Sequence, residues 1–214
     1  MLLQEEIYNK LKKSITYGEL SPGQKLSEIA LANEMNVSRT PIREAFRQLQ
    51  MEGYITVSPN KGAYVNKLPP EEIEEIYNIV GLLEGYAAEL AAKKINNSEL
   101  EELRKIQKRL VFFASRNRYR DYIKGNTDFH YFITCLGGNN HLIKINTELR
   151  TRIYRYRLMS VTIPGYLERY ASDHEKIIYA ISKKDSNHAK KYMKEHVNFV
   201  KEILVNFLKE NPSF

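Results

Sequence analysis

Two arginines and a threonine stand close together in the first third of the chain, with a spacing that suits contact with DNA. Arg39, Thr40 and Arg43 follow Ser38. Arginine can donate two hydrogen bonds to the major-groove acceptors of guanine, and threonine offers a methyl group and a hydroxyl to base edges or phosphates. Ser38 can cap a helix that begins here, and the positive end of the helix dipole attracts phosphate. For any one of these arginines alone, a solvated surface helix is the competing interpretation.

Three histidines in the second half of the chain are candidates for binding a metal ion. Asn126 lies four residues before His130, so the two share one helix face. His174 and His196 fall on consecutive predicted helices, and antiparallel helices can bring their imidazoles level. Neutral imidazole is a good ligand for zinc, nickel, iron or copper, and three of them leave coordination positions open. The alternative is that each is a separate core histidine bonded to a carbonyl or carboxylate.

The residues around the two arginines predict a helix–turn–helix. A short amphipathic helix closes at Met35, and Asn36 breaks it. Pro41 is tolerated in the next helix because first-turn N–H groups have no intrahelical partner. Apolar residues recur there at helical spacing and predict a buried face, namely Ile42, Phe46 and Leu49.

After Gly53 the apolar residues alternate, which predicts a β-hairpin next to the helix–turn–helix. Such a hairpin is the wing of a winged helix. Lys61 and Gly62 lie at its tip and can approach the DNA backbone or the minor groove, since glycine places no side chain in the way.

The rest of the chain shows no convincing strand and predicts six long helices with short links. The segment before Pro70 breaks the pattern and acts as a short stiff linker. We therefore expect a mainly α protein, with a winged helix–turn–helix at 1–69 and an antiparallel bundle of about six helices at 70–214.

Composition excludes several classes of protein. The 214 residues carry a formal net charge of +7, which suits a polyanionic partner without proving one. Cys135 is the single cysteine, so no intrachain disulfide framework exists and a cytoplasmic location is expected. No apolar run approaches the roughly 20 residues that a membrane helix needs, so we expect no membrane partner.

The first third of the sequence resembles the GntR superfamily of bacterial transcription regulators. The resemblance rests on SPGQKL at 21–26, LANEMNVSRTPIREAFRQLQMEG at 31–53 and the wing sequence PNKGAYV. It implies that Arg39, Thr40, Arg43 and Gly62 contact operator DNA in a two-fold dimer.

The second part resembles the FCD ligand-binding domain of the FadR-type branch. The resemblance rests on LLEGYAAELAA at 82–92, NTDFHYFI at 126–133, DHEKIIYAI at 173–181 and AKKYMKEHV at 189–197. It implies that Asn126, His130, His174 and His196 hold a divalent metal ion. The family usually has aspartate where this chain has Asn126, and the missing charge favours zinc or nickel over harder ions.

A second departure concerns the effector. The family often has arginine four residues before the glutamate of its first helix, whereas Val80 precedes Glu84 here. If that arginine usually binds an effector carboxylate, this protein must use another cation or bind a different ligand. Four arginines alternate along one later helix, at positions 150, 152, 155 and 157, so one or two of them can face the cavity. We expect effector contacts at Arg150, Arg152 and Tyr154.

These features together predict a metabolite-responsive transcription regulator, a repressor that binds a palindromic operator as a homodimer. The expected effector is a small molecule such as an organic acid, and the protein is not expected to be an enzyme. Two alternatives stay open at this point. One is a metal-dependent enzyme with a DNA-binding appendage, and the other is a regulator that binds its effector without a metal.

Overall fold

The computed structural model of the chain describes residues 3–58, 62–163 and 166–211. These residues form two compact units, of which the first ends at Pro69 and the second begins at Pro70. The first unit is called the head and the second the helical domain. No helix in the described ranges is both long enough and apolar enough to cross a membrane.

The head combines helices with a small sheet around one apolar core. Its described elements are α1 (Leu3–Thr16), β1 (Lys25–Leu26), α2 (Glu28–Glu34), α3 (Arg39–Met51), β2 (Ile55–Ser58) and β3 (Gly62–Val65). Each of them contributes to the core, in which Leu11, Ile42 and Leu49 are almost inaccessible. The predicted winged helix–turn–helix is confirmed.

The three strands pair antiparallel in the order β1-β3-β2. Ile55 is opposite Val65 in the hairpin, and Lys25 is opposite Tyr64 at the edge. Sequence reasoning missed β1, because a strand of two residues is too short to show alternation. The hairpin tip, which includes Lys61, lies outside the described residues.

The turn between α2 and α3 contains an asparagine in a left-handed conformation, and a serine precedes each of the two helices. Asn36 has a φ of 53°, a left-handed conformation that asparagine tolerates better than most residues. Ser27 caps α2 by accepting a hydrogen bond from the N–H of Ala30 at 3.3 Å. Ser38 is the N-cap residue of α3 and has extended backbone, but its side chain makes no capping bond. The prediction of a side-chain cap at Ser38 was therefore wrong, which leaves this hydroxyl free of that role.

The helical domain contains six long helices in its described residues, as predicted. They are α4 (Pro70–Lys94), α5 (Asn97–Ser115), α6 (Tyr119–Leu136), α7 (Asn140–Val161), α8 (Tyr166–Ser182) and α9 (Ser186–Glu210). Helix α4 packs against α6, α7, α8 and α9 and is the central element of the bundle. A Cβ atom on Gly85 would come within 2.6 Å of the Lys194 side chain, so α4 and α9 approach each other closely there.

Two helices of the domain are capped by a residue that lies one or two positions before a serine. The capping box of α5 is formed by Asn96 and Glu99, and Ser98 lies inside the helix. Asp185 caps α9 by accepting a hydrogen bond from the N–H of His188, and Ser186 is the first residue of the helix. In both places an asparagine or aspartate precedes the serine, and these residues cap at least as well.

Candidate nucleic-acid interface and candidate metal centre

Helix α3 presents its N-terminal end to solvent. Ser38 and Thr40 are exposed, and the side chains of Arg39 and Arg43 are 50% and 54% exposed. The opposite face of the helix is buried in the head core, so the helix is fixed and its polar end is free to meet a partner. Rigid placement of guanidinium and hydroxyl donors suits reading of base edges in the major groove.

A carboxylate of the preceding helix contacts both arginines. Arg39 Nη2 lies 3.0 Å from Oε2 of Glu28, and Arg43 Nε lies 2.8 Å from the same oxygen. Burial raises the pKa of Glu28, but hydrogen bonds from the two arginines lower it, and the resulting pKa lies below its ordinary value. Glu28 is therefore ionised at neutral pH.

On the wing, Gly62 occupies a position that favours glycine. Its φ is +97°, and a Cβ atom would meet the Lys25 side chain at 3.2 Å. Since Lys61 lies outside the described residues, Gly62 is the one of the two expected wing contacts whose position can be given.

The three histidines come together in the interior of the helical domain. His130 is on α6, His174 on α8 and His196 on α9, and each is at most 1% exposed. Their ring centroids are 4.7 to 5.5 Å apart. One ligand nitrogen of each ring can be chosen so that all three lie within 4.8 Å of one another. The three histidines that the sequence singled out therefore lie on helices that bring them together.

The hydrogen bonds of His174 define which of its nitrogens is available. The amide nitrogen of Gln107 donates to the carbonyl of Ala171 at 3.2 Å, so the amide oxygen faces His174 Nδ1 at 3.0 Å. An amide oxygen only accepts, and Nδ1 must then carry the proton. Nε2 of His174 is left with a lone pair, and it is buried without a hydrogen-bond partner among residues 3–58, 62–163 and 166–211.

In the other two imidazoles, an acidic side chain and not an amide lies beside Nδ1. Oε2 of Glu84 lies 2.8 Å from Nδ1 of His130, without meeting the geometry of a hydrogen bond. Oδ2 of Asp173 lies 3.9 Å from Nδ1 of His196, too far for a hydrogen bond. An oxygen behind the second nitrogen is the usual arrangement for histidines that ligate metals, since it orients the ring and raises its basicity.

Burial keeps all three imidazoles neutral. It lowers the pKa of His130 to about 3, with the charge of Arg150 acting in the same direction. Burial also lowers the pKa of His174 and of His196 below the ordinary histidine value. A metal ion binds neutral imidazole, so no proton has to be removed from these rings at pH 7.

Asn126 completes the donor set expected from the sequence. It is one turn before His130 on α6 and is buried, and its Oδ1 has no hydrogen-bond partner in the described part of the chain. Asn126 lines the same small cavity as His130 and His196. The cavity has room for roughly one water. Three imidazoles that can reach one ion, and an amide oxygen that lines a cavity with two of them, fit a metal ion.

Comparison with known proteins identifies the two units. The bacterial regulatory proteins of the gntR family match residues 3–65, and the FCD domain matches residues 75–199. The chain belongs to the GntR family. This GntR regulator is 32% identical to the uncharacterised HTH-type transcriptional regulator YdhC of Bacillus subtilis, over 96% of the chain and 92% of that protein.

Two further relatives extend the comparison. The HTH-type transcriptional repressor RspR of Escherichia coli is 27% identical, over 99% of the chain and 93% of that protein. The solved structure of E. coli McbR/YncC has a TM-score of 0.80 at 23% identity and covers 99% of the chain and all of that structure, which shows a common fold. The chain is therefore a DNA-binding transcription regulator, of a family whose members respond to small-molecule effectors and are not enzymes.

In this GntR regulator the residues expected to bind the effector are already engaged. The guanidinium of Arg150 donates to both carboxylate oxygens of Glu84, and Asn146 donates to the same carboxylate at 3.1 Å. Arg152 donates to Glu72 at 2.5 Å near the surface. Tyr154 is half-buried and lies under the guanidinium of Arg157. The effector roles of Arg150, Arg152 and Tyr154 stay predictions, and the two arginine charges are neutralised.

Arg157 of α7 forms no ion pair with a carboxylate in the ranges that the structure describes. It is buried, donates to Thr127 Oγ1 at 3.1 Å and lines the same cavity as Asn126. Burial lowers its pKa to about 10, so it remains charged at neutral pH. The sequence carried a signal for it, because residues seven apart share a helix face and Arg157 follows Arg150 at that spacing. The sequence did not indicate that Glu84 neutralises the charge of Arg150.

Proposed function

We propose that this GntR regulator is a homodimeric repressor that binds a palindromic operator in the cytoplasm and releases it when a small organic acid binds in the helical domain. The observation that carries the proposal is the exposed N-terminal end of α3 with Arg39 and Arg43. The name of the relative RspR, a transcriptional repressor, supports repression. A two-fold dimer matches a palindrome, because each head meets an identical half-site.

Each head would place α3 in the major groove of one half-site. Arg39, Thr40 and Arg43 would then read base edges, and the free hydroxyl of Ser38 would bond phosphate. Gly62 and Lys61 of the wing would approach the backbone or the minor groove next to it. The exposure of the α3 residues and the left-handed backbone of Gly62 support this arrangement.

In the helical domain, His130, His174, His196 and Asn126 would hold a zinc or nickel ion. The donor set is three neutral imidazoles and one amide oxygen, without a carboxylate, which suits ions of this class better than magnesium or calcium. When bound, the ion would offer open coordination positions to an acidic effector. Its positive charge would also attract that effector into the cavity.

Arg157 would bind the effector's carboxylate. A buried guanidinium without a carboxylate partner is costly, and an anionic ligand removes that cost. Tyr77 supports the same role, since it lines the cavity and its buried hydroxyl has no hydrogen-bond partner among the described residues. A hydroxy acid would satisfy both groups at once, with its carboxylate on Arg157 and a hydroxyl on Tyr77.

Control of DNA binding follows if the effector has different affinities for the operator-bound and free forms. Such coupling is reciprocal, so the operator must weaken effector binding by the same factor as the effector weakens operator binding. The two affinities can be measured separately on one preparation.

The DNA-binding part is tested by fluorescence anisotropy with the full chain. A duplex selected by the protein from a randomised pool is compared with an unrelated duplex of the same length and composition. We expect the selected duplex to be palindromic and to bind at least about 1000-fold more tightly. Arg43→Ala should remove most of this preference, whereas Arg104→Ala, at an exposed position of α5, should not. Equal affinity for the two duplexes would contradict the proposal.

The effector part is tested by a thermal-shift screen of small organic acids, with and without added zinc or nickel, on protein purified without a histidine tag. A ligand that binds the native state raises the unfolding temperature. Arg157→Met should abolish the shift, and Arg104→Met should keep it. If acids raise the unfolding temperature equally with and without metal, and elemental analysis finds no metal, the regulator binds its effector by hydrogen bonds alone.

A further inference from the structure

Glu28 lies between the two arginines expected to read DNA. It occupies the first turn of α2, directly after the Ser27 cap, and its side chain is 27% exposed. A single oxygen, Oε2, accepts hydrogen bonds from Arg39 and from Arg43. One carboxylate therefore fixes the direction of two side chains that come from a different helix.

The contacts leave most of each guanidinium unused. Arginine has five N–H donors, and each of these two arginines donates one hydrogen bond within the described chain. Arg43 uses Nε, so its two terminal nitrogens remain free, and those are the atoms that can face the O6 and N7 acceptors of guanine together. Glu28 thus binds Arg43 through Nε and leaves the two terminal nitrogens available for a base.

The charge of Glu28 also discriminates between the two kinds of acceptor that DNA offers. A phosphate that binds either arginine would lie close to the carboxylate, and two negative charges in proximity repel each other. A base edge carries no net charge and does not incur this repulsion. Because non-specific binding depends almost wholly on phosphate contacts, the carboxylate weakens it more than specific binding.

We infer that Glu28 is a positioning residue that determines specificity, by directing Arg39 and Arg43 to base edges and making them poor ligands for phosphate. This inference rests on the proposed role of α3 in DNA reading. It assigns to an acidic side chain of the head a favourable role in recognition, although its charge opposes binding to a polyanion.

The test compares Glu28→Gln with Glu34→Gln in the full chain. Both changes remove one negative charge from α2, but Glu34 pairs with Lys10 at 3.7 Å and touches neither arginine. Anisotropy titrations over a range of salt concentrations use the selected duplex and the unrelated duplex described above. We expect E28Q to bind the unrelated duplex at least about fivefold more tightly, with a salt slope steeper by about one, and to lose at least about fivefold in preference. E34Q should change both affinities by one common factor.

Two further variants address how Glu28 acts. One separates the effect of its charge from that of its side-chain length, and the other separates direct contact with the arginines from a general electrostatic effect. Glu28→Asp keeps the charge but shortens the side chain, so non-specific affinity should stay at the wild-type level while preference for the selected duplex falls. In an Arg39→Ala, Arg43→Ala background, E28Q should cause no loss of preference beyond that of the two arginine changes.

The outcomes are distinct from those that test the proposed function. If the wild-type protein shows no preference for any duplex, the DNA-reading role of α3 fails. If the wild type shows the preference and E28Q behaves like E34Q, or keeps its preference unchanged, only the role of Glu28 is overturned. Thermal unfolding of each variant confirms that affinities are compared between folded proteins.

Discussion

Arg150 donates hydrogen bonds to both carboxylate oxygens of Glu84 inside the helical domain, where Glu84 is 1% exposed and the Arg150 side chain 10%. Burial raises the pKa of Glu84, but the charge of Arg150 outweighs it and holds the pKa well below its ordinary value. The carboxylate is therefore charged, and it depends on Arg150 for compensation.

Replacing Arg150 by methionine should therefore destabilise the protein by about 3–5 kcal/mol, because it leaves a buried charge without its partner. Urea unfolding measures the loss. Arg152→Met is the matched control on the same helix, and should cost less than about 1 kcal/mol, since Arg152 and Glu72 are each more than a third exposed. The double change E84Q/R150M should recover much of the loss. A small effect of R150M would show that Glu84 is protonated in the native protein.

Gln107 should control metal affinity although it does not reach the ion. Gln107→Leu removes the acceptor that fixes His174 Nδ1, and loss of such a partner typically weakens metal binding about 10- to 100-fold. Competition with a zinc-binding dye measures the dissociation constant. His188→Gln is the control, because His188 is exposed and pairs with Asp185. Unchanged zinc affinity in Q107L would mean that His174 is not a ligand.

Asn126→Asp should strengthen metal binding. It places a negative charge where the structure has an unpartnered amide oxygen, and the gain should be about tenfold or more and largest for manganese, a harder ion. Asp128→Asn is the control for charge, since Asp128 is exposed on another face of the same helix. Isothermal titration with zinc and manganese gives both affinities. If N126D binds neither ion more tightly, residue 126 does not face the ion.

The head should lose stability in acid through Glu52. Tyr8 donates to Glu52 at 2.6 Å, and Lys12 donates to it at the same distance. Burial raises the pKa of Glu52, but these two hydrogen bonds lower it below its ordinary 4.5. A carboxyl whose pKa is lower in the folded state stabilises the fold fully above pH 4.5, and that stabilisation disappears as the pH falls through the folded pKa.

Glu52→Gln should accordingly cost about 1 kcal/mol at pH 7, a modest value because the pair is about one-third exposed. The difference from the wild type should shrink towards pH 3. Glu44→Gln, at an exposed position of α3, is the control for the loss of one negative charge from the head. Urea unfolding at several pH values gives the comparison, and a difference that stays constant with pH would contradict the assignment.

Local signals in the sequence were sufficient for the helices and for the hairpin, because apolar spacing reports which face is buried. The convergence of His130, His174 and His196 was accessible through the family resemblance. The pairing of Glu84 with Arg150 was not, because it depends on how α4 and α7 pack against each other, and periodicity along one helix contains no such information. Gln107 escaped notice for the same reason, since its role arises only where α5 meets α8.

The cavity beside the histidines admits roughly one water, whose share of liquid volume is about 30 Å³, and any organic acid is several times larger. The helices around it must consequently separate before such a molecule can enter, and they must stay apart while it is bound. The observed rate of association should then reach a maximum at high ligand concentration, and that maximum is the rate at which the bundle opens. Because the helices of the free domain are tightly packed, a ligand cannot occupy the cavity unless their arrangement changes.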